Sequence, residues 1–192
     1  MGFEDETWWS RLARPAVHTW SESDHPLRLV EQTLPPDDAE AKALACYGLL
    51  VSAPADDTFA EQVWLRFVQD RPISGVTIAF LVWCCDKLQA AGKKALLLIW
   101  DNASWHLSAL VKTWIREHNR EVKQTGAGVR VIACPLPVKS PWLNPLQAHW
   151  MQAKRHIFEA KRVLTAQELS DRICAHFGCT HEDPLAIPEN VS

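Results

Sequence analysis

No stretch of this chain reaches the roughly 18 uninterrupted apolar residues that a membrane-spanning helix needs. The amino terminus is acidic at Glu4, Asp5 and Glu6, where a secretory signal would be basic and then apolar. Six cysteines are present (Cys46, Cys84, Cys85, Cys134, Cys174, Cys179), but none form a Cys-x-x-Cys pair. They read as free buried thiols of a reducing cytosol, which predicts a cytoplasmic protein with no membrane association. Zinc held by Cys174, His176, Cys179 and His181 would need a spacing unusual for a finger, and this reading is disfavoured. There is no P-loop, no nucleophile elbow and no Gly-rich dinucleotide loop, so the usual signatures of those chemistries are missing. Internal repeats and low-complexity segments are absent as well.

What is present is a chain of 192 residues with 47% apolar content, enough for one domain with a sizeable core. The formal net charge of −3 hides a gradient. Residues 1–92 carry 7 Lys and Arg against 14 Asp and Glu, whereas residues 93–163 carry 12 against 4. The basic middle is a candidate polyanion-facing surface, set against the plainer reading of a solvated helix face. Most of the ten tryptophans belong to a core, while Trp142 and Trp150 flank a Pro-rich turn where they are placed to meet a partner.

The periodicity predicts strands over Gly2–Trp9, Lys42–Val51 and Ala95–Trp100, with short strands around His18–Trp20 and Leu27–Val30. Phe59–Val68 alternates and is read as a strand rather than a short helix. A helix is expected from Pro72 to about Ala91, closed by Gly92. Another is expected from about Ser104 to Asn119, with Leu107, Leu110, Val111, Trp114 and Ile115 inward. A turn at Thr125–Gly128 leads to a strand over Val129–Cys134. Four prolines between Pro135 and Pro145 exclude regular structure. A helix over Leu146–Val163 and a capped one from Thr165 to Phe177 complete the list, the capping box being Thr165 and Glu168. This order predicts an α/β fold, a mixed sheet flanked by helices over residues 1–177, with a loosely ordered tail over 178–192.

The run Ala95 to Trp100 ends abruptly in Asp101. Six apolar residues call for a fully buried central strand, and functional groups collect where such strands leave the core. Asp101 suits a hard cation there, and an N-cap of the following helix explains it equally well. Two further segments stand beside it. One is Glu4-Asp5-Glu6 on the first strand. The other is the loop Ser140-Pro141-Trp142-Leu143-Asn144-Pro145-Leu146-Gln147-Ala148-His149-Trp150.

With Asp101-Asn102-Ala103-Ser104-Trp105-His106, these three motifs appear in order, and over residues 2 to 165 the chain resembles the catalytic domain of DDE transposases of the mariner-like superfamily, on the bacterial insertion-sequence side. The resemblance implies a ribonuclease-H-like fold and DNA strand cleavage and transfer with Mg2+ or Mn2+. Such ions, roughly 3.5–4 Å apart, activate the attacking oxygen and stabilise the leaving one. It implies Asp5 and Asp101 as metal-binding catalytic residues. It also implies transposon-end and target DNA as partners, a homodimer on paired ends, and Lys139, Lys154, Arg155, Lys161 and Arg162 beside DNA phosphates.

Two departures stand out. The family places its third acid, usually Glu, where this chain has Gln147, so the site loses a full negative charge and catalysis is expected to be severely weakened. Family members also carry amino-terminal helix-turn-helix modules, whereas this sequence begins at the first catalytic strand, as an excised or truncated catalytic domain would. An inactive remnant that only binds DNA or a protein is the alternative. Around the acids, Asn102 is read as holding its loop. Asn144 and Ser140 are read as setting the turn before the late helix. His106, placed on the helix after Asp101, is read as orienting a phosphate or a group behind the acids, with a capping or packing role equally open. Glu6 points away from Asp5 on a strand and is the weaker ligand candidate.

Overall fold

The computed structural model describes residues 1–12, 34–69, 71–157, 159 and 162–186. Among these, five strands form one sheet in the order β3-β2-β1-β4-β5. The strands are β1 (Gly2–Ser10), β2 (Ala43–Val51), β3 (Gln62–Val68), β4 (Ala95–Trp100) and β5 (Arg130–Pro135). β1 pairs antiparallel with β2 and parallel with β4, so the sheet is mixed as expected. The helices are α1 (Ser74–Ala90), α2 (Ala109–Thr125), α3 (Leu146–His156) and α4 (Ala166–Phe177). The short strands expected at His18–Trp20 and Leu27–Val30 lie outside the described residues.

Two apolar layers hold the sheet. On one face Tyr47, Leu49, Val51, Leu96, Leu98 and Trp100 pack with Phe80, Leu81, Cys84 and Leu88 of α1 and Val111 of α2. On the other, Trp9, Cys46, Leu50, Leu65 and Phe67 pack with Leu146, Trp150 and Ala153 of α3 and Leu169 and Ile173 of α4. The strict alternation along β1 and β2 therefore serves both faces, and burial of this area is the main stabilising term.

Several expectations need correction. β1, not β4, is the middle strand, and β4 is not buried on both faces. α3 and α4 pack on the β1–β2–β3 half. As a result Leu97 and its cross-strand partner Ile132 are left 39% and 47% exposed. α1 starts at Ser74, after Pro72 rather than on it. α2 starts at Ala109, because Asp101 to Leu107 is folded into a tight turn by its own side chains and Ser108 caps the helix by accepting from Val111 N. Leu107 and Leu110 consequently lie outward at 37% and 43% exposure. β5 extends to Pro135, which an edge strand tolerates. α3 ends at His156 instead of Val163. The capping box is formed in full: Glu168 N donates to Thr165 Oγ1, and Thr165 N donates to Glu168 Oε2.

Of the tail, residues 178–186 are described, and they hold to the sheet edge where loose order was expected. Leu185 bridges Val68, donates its N–H to Phe67 O at 2.7 Å and buries its side chain. An apolar residue and two free backbone groups at the edge of β3 account for the attachment.

Candidate active site

β1 and β4 run parallel, with Gly2 beside Leu98 and Phe3 beside Ile99. Asp5 and Asp101 each follow two residues after that last pair, so the two acids emerge together where β4 leaves the sheet. Alternation along β1 sends Asp5 towards α3 and sends Glu4 and Glu6 to the opposite face.

On the α3 side, Asp5 is buried at 6% exposure. Its Oδ2 accepts from Gln147 Nε2 at 2.8 Å and from Trp150 Nε1 at 2.9 Å. Asn144 ties the start of α3 to β1: its Nδ2 donates to Glu4 O at 2.7 Å, and its Oδ1 accepts from Leu146 N at 3.0 Å. The turn-setting role expected of Asn144 is thus joined to a bond across to β1. Trp150, expected to face a partner, is instead a core residue, whereas Trp142 on the short 3-10 turn Pro141–Leu143 is 73% exposed. Burial, then the charges of Glu6 and Asp101, push the Asp5 carboxyl up to about 7, against the pull of its Trp150 and Gln147 donors.

Asp101 is half-exposed and is not the cap of α2, a place Ser108 takes. Its Oδ1 accepts from Ala103 N at 2.8 Å and from His106 Nδ1 at 2.9 Å. The His106 bond comes first among the causes that hold Asp101 below the usual carboxylate range. Asn102 donates to Leu136 O at 2.7 Å, joining the β4 exit to the strand-β5 exit, as a loop-holding residue would.

On the opposite face, His106 is fully buried on the turn before α2, not on the helix. Its Nε2 lies 3.0 Å from Glu6 Oε1 and 3.1 Å from Glu4 Oε2. The Glu4 contact is at ion-pair distance, but neither Glu4 oxygen has an aligned hydrogen-bond partner among the described residues. Burial and then the neighbouring Glu6 charge raise Glu4, while burial of His106 is outweighed by the Glu4 charge and by its bonds to Asp101 and Glu6, which raise it. Glu4, Glu6 and His106 offer ligand atoms within 4.8 Å of one another. Cys174, His176, Cys179 and His181 form no such group among the described residues. The sequence reading missed Glu4. The signal was available, since period two on a strand buried on both faces puts Glu4 and Glu6 together.

The basic residues divide. Lys139 and Arg155 are exposed before and on the helix that carries Gln147, and Lys139 holds a left-handed φ of 61°. Lys154 is engaged, donating to Thr7 Oγ1 at 2.6 Å and lying 5.5 Å from the centre of the Trp9 ring. Arg162 is paired with Glu168 through bonds of 2.6 and 2.7 Å. Lys161 lies outside the described residues.

Comparison with solved structures returns the same architecture. The chain is similar to the Mos1 transposase paired-end complex with left transposon end, with a TM-score of 0.64 and 14% identity over 95% of this chain and 48% of that one. It is similar also to the Mos1 mariner paired-end complex with Mn, at TM-score 0.63, 14% identity, and 94% and 48% coverage. The mariner Mos1 paired-end complex with Mg gives TM-score 0.61, 15% identity, and 92% and 47% coverage. The chain thus spans about half the length of these proteins, and the likeness establishes the ribonuclease-H-like transposase fold. No curated protein matches the chain by sequence. No described helix is long and apolar enough to cross a membrane. The profile of the family described as "DDE superfamily endonuclease" matches residues 65–170, more than half of the chain and inclusive of Asp101 and Gln147, and the chain belongs to that family.

Proposed function

We propose that this chain is the catalytic domain of a transposase of the mariner-like superfamily, on the bacterial insertion-sequence side, which cleaves and joins DNA strands with Mg2+ or Mn2+ and is impaired by Gln147. The observation that carries the reading is the convergence of Asp5 and Asp101 at the end of β4, with Gln147 on Asp5. Two carboxylates from neighbouring strands are a hard-oxygen donor set. That donor chemistry fits such an ion, whose charge would offset the burial and the Glu6 and Asp101 charges that lift Asp5 to about 7. When bound, the metal would activate the attacking oxygen and stabilise the leaving one.

The chain's own residues then have distinct tasks. Asp5 on β1 and Asp101 just past β4 would hold the cation, Trp150 ties α3 to Asp5, and Asn144 ties its start to β1. Gln147 supplies an N–H to Asp5 where the family's Glu would supply a third carboxylate. It satisfies Asp5 electrically but occupies one of its oxygens, and it offers dications no charge. Exposed Lys139 and Arg155 face transposon-end and target DNA backbone, and a homodimer acts on paired ends.

The test is metal-dependent nicking of DNA by this chain and by its Gln147→Glu variant. Weak nicking that rises in Gln147→Glu and vanishes in Asp101→Ala is the expected result. No nicking by either form sinks the enzyme reading. The second reading, an inactive remnant that binds DNA, is favoured by the Gln147–Asp5 bond itself. It predicts salt-sensitive, sequence-indifferent binding without turnover.

A further inference from the structure

We propose that Glu4 and Glu6 act through His106 to fix the Asp101 carboxylate, so that these three are positioning residues of the metal site. The inference rests on Asp101 being a metal ligand, as proposed above.

Asp101 is the less enclosed of the two acids. It lies on a turn, and its side chain is 45% exposed. A carboxylate in such a place samples several rotamers unless something holds it. Here Oδ1 receives two N–H donors, one from its own turn at Ala103 and one from His106. The first is short-range and follows the turn. The second comes from a side chain with no exposed surface.

His106 can only hold Asp101 if its own ring is held. Its plane is set by Trp100, on which it stacks with centroids 4.6 Å apart and an interplanar angle of 8°. Its rotation within that plane is set by Nε2, which meets Glu6 Oε1 at 3.0 Å and Glu4 Oε2 at 3.1 Å. Glu6 is fixed in turn by Trp105, whose Nε1 donates to the same Oε1. Glu6 Oε1 already accepts from Trp105 and Asp101 Oδ1 from Ala103, so the ring nitrogens facing these two oxygens are placed to donate, Nε2 to Glu6 and Nδ1 to Asp101. Histidine metal ligands are commonly oriented by a carboxylate behind them. In this site the order is reversed: the histidine stands behind the carboxylate, and two more carboxylates stand behind the histidine. Glu4 gives the arrangement its weight. Its carboxyl is buried at 1% exposure without an aligned hydrogen bond, which is a cost that an apolar residue would avoid.

The experiment is Mn2+ titration of the chain beside Glu6→Gln, His106→Gln and His106→Asn, with melting curves for each. Glu6→Gln and His106→Gln are expected to bind Mn2+ about tenfold or more weakly, the usual scale for losing an outer-shell partner. His106→Asn, whose amide nitrogen overlays Nδ1, should retain more affinity than His106→Gln. Equal Mn2+ affinity in all four forms, or a loss that tracks melting temperature alone, overturns the proposal. A metal-free readout separates this failure from that of the metal site. Imidazole N–H exchange by nitrogen-15 NMR should show a protected His106 Nδ1–H in the parent and exchange about tenfold faster in Glu6→Gln. Protection that is unchanged in Glu6→Gln overturns the proposal. Protection lost in that variant, in a parent chain that binds no Mn2+, supports the positioning bond while sinking the metal reading. Should His106 variants fail to fold, Glu4→Gln read by the same exchange decides.

Discussion

Gly48 stands directly opposite Asp5 across the β1–β2 pair, and the ring of Trp150 occupies the space a Gly48 side chain would need. The absence of a Cβ lets the indole approach β2 closely and reach Asp5 with its Nε1. Gly48→Ala would overlap the ring and should destabilise the fold by about 1–3 kcal/mol, the usual scale of overpacking. Urea unfolding measures it, and an unchanged midpoint contradicts the close approach.

Gln147→Glu is expected to trade metal-free stability for metal affinity. The variant removes an N–H donor from a buried carboxyl and adds a like charge beside it, a change of about 1–3 kcal/mol in the metal-free protein. With Mn2+ the order should reverse, because a ligand bound only by the folded state stabilises it. Thermal melts in chelator and in Mn2+ test this. A variant whose melting temperature does not respond to Mn2+ more than the parent's does would contradict the placement of Gln147 at the metal site.

DNA binding should depend unequally on the basic residues. Lys139→Glu and Arg155→Glu are each expected to weaken binding across sequences and to lower the salt slope by roughly 0.9 for each phosphate no longer neutralised. Arg162→Ala should change the slope little, because Glu168 already holds that guanidinium. Binding titrations from low to high salt read the difference.

Acid should loosen the start of α4. Bonds from Arg162 and then from the Thr165 backbone hold Glu168 down to about 2, below its ordinary 4.5. A depressed carboxyl gives stability that is present above about 4.5 and lost as pH falls towards about 2. Glu168→Gln should therefore flatten the acid limb of the stability curve between those values. Thr165→Ala, which removes the other half of the box, should cost about 1 kcal/mol at neutral pH. Melting curves across pH check both.

The alternating and capped elements were legible in the sequence, because they depend on local chemistry. β4 fits its predicted bounds to the residue, and the Thr165–Glu168 box forms both of its bonds. What was not legible depended on partners distant in sequence. Leu97 looked like a doubly buried residue, yet its far face is left open because α3 and α4 gather on the other half of the sheet. The start of α2 was misplaced because Asp101, which suited a cap, accepts instead from Ala103 and His106. At the site, the strand end pointed to Asp101, and the resemblance of three motifs pointed to Asp5 and Gln147. Period two could have paired Glu4 with Glu6, but their meeting with His106 was hidden, since it joins residues about a hundred positions apart.

The bond from Gln147 to Asp5 also bears on how this chain can change. Glutamine and glutamate codons differ only in their first base, so a single transversion would replace the amide with a carboxylate. The fold around it needs no other adjustment in kind: Asn144 still anchors α3, Trp150 still reaches Asp5, and the two side chains are nearly isosteric. On the reading proposed above, a single base therefore separates the present site from one with three acids.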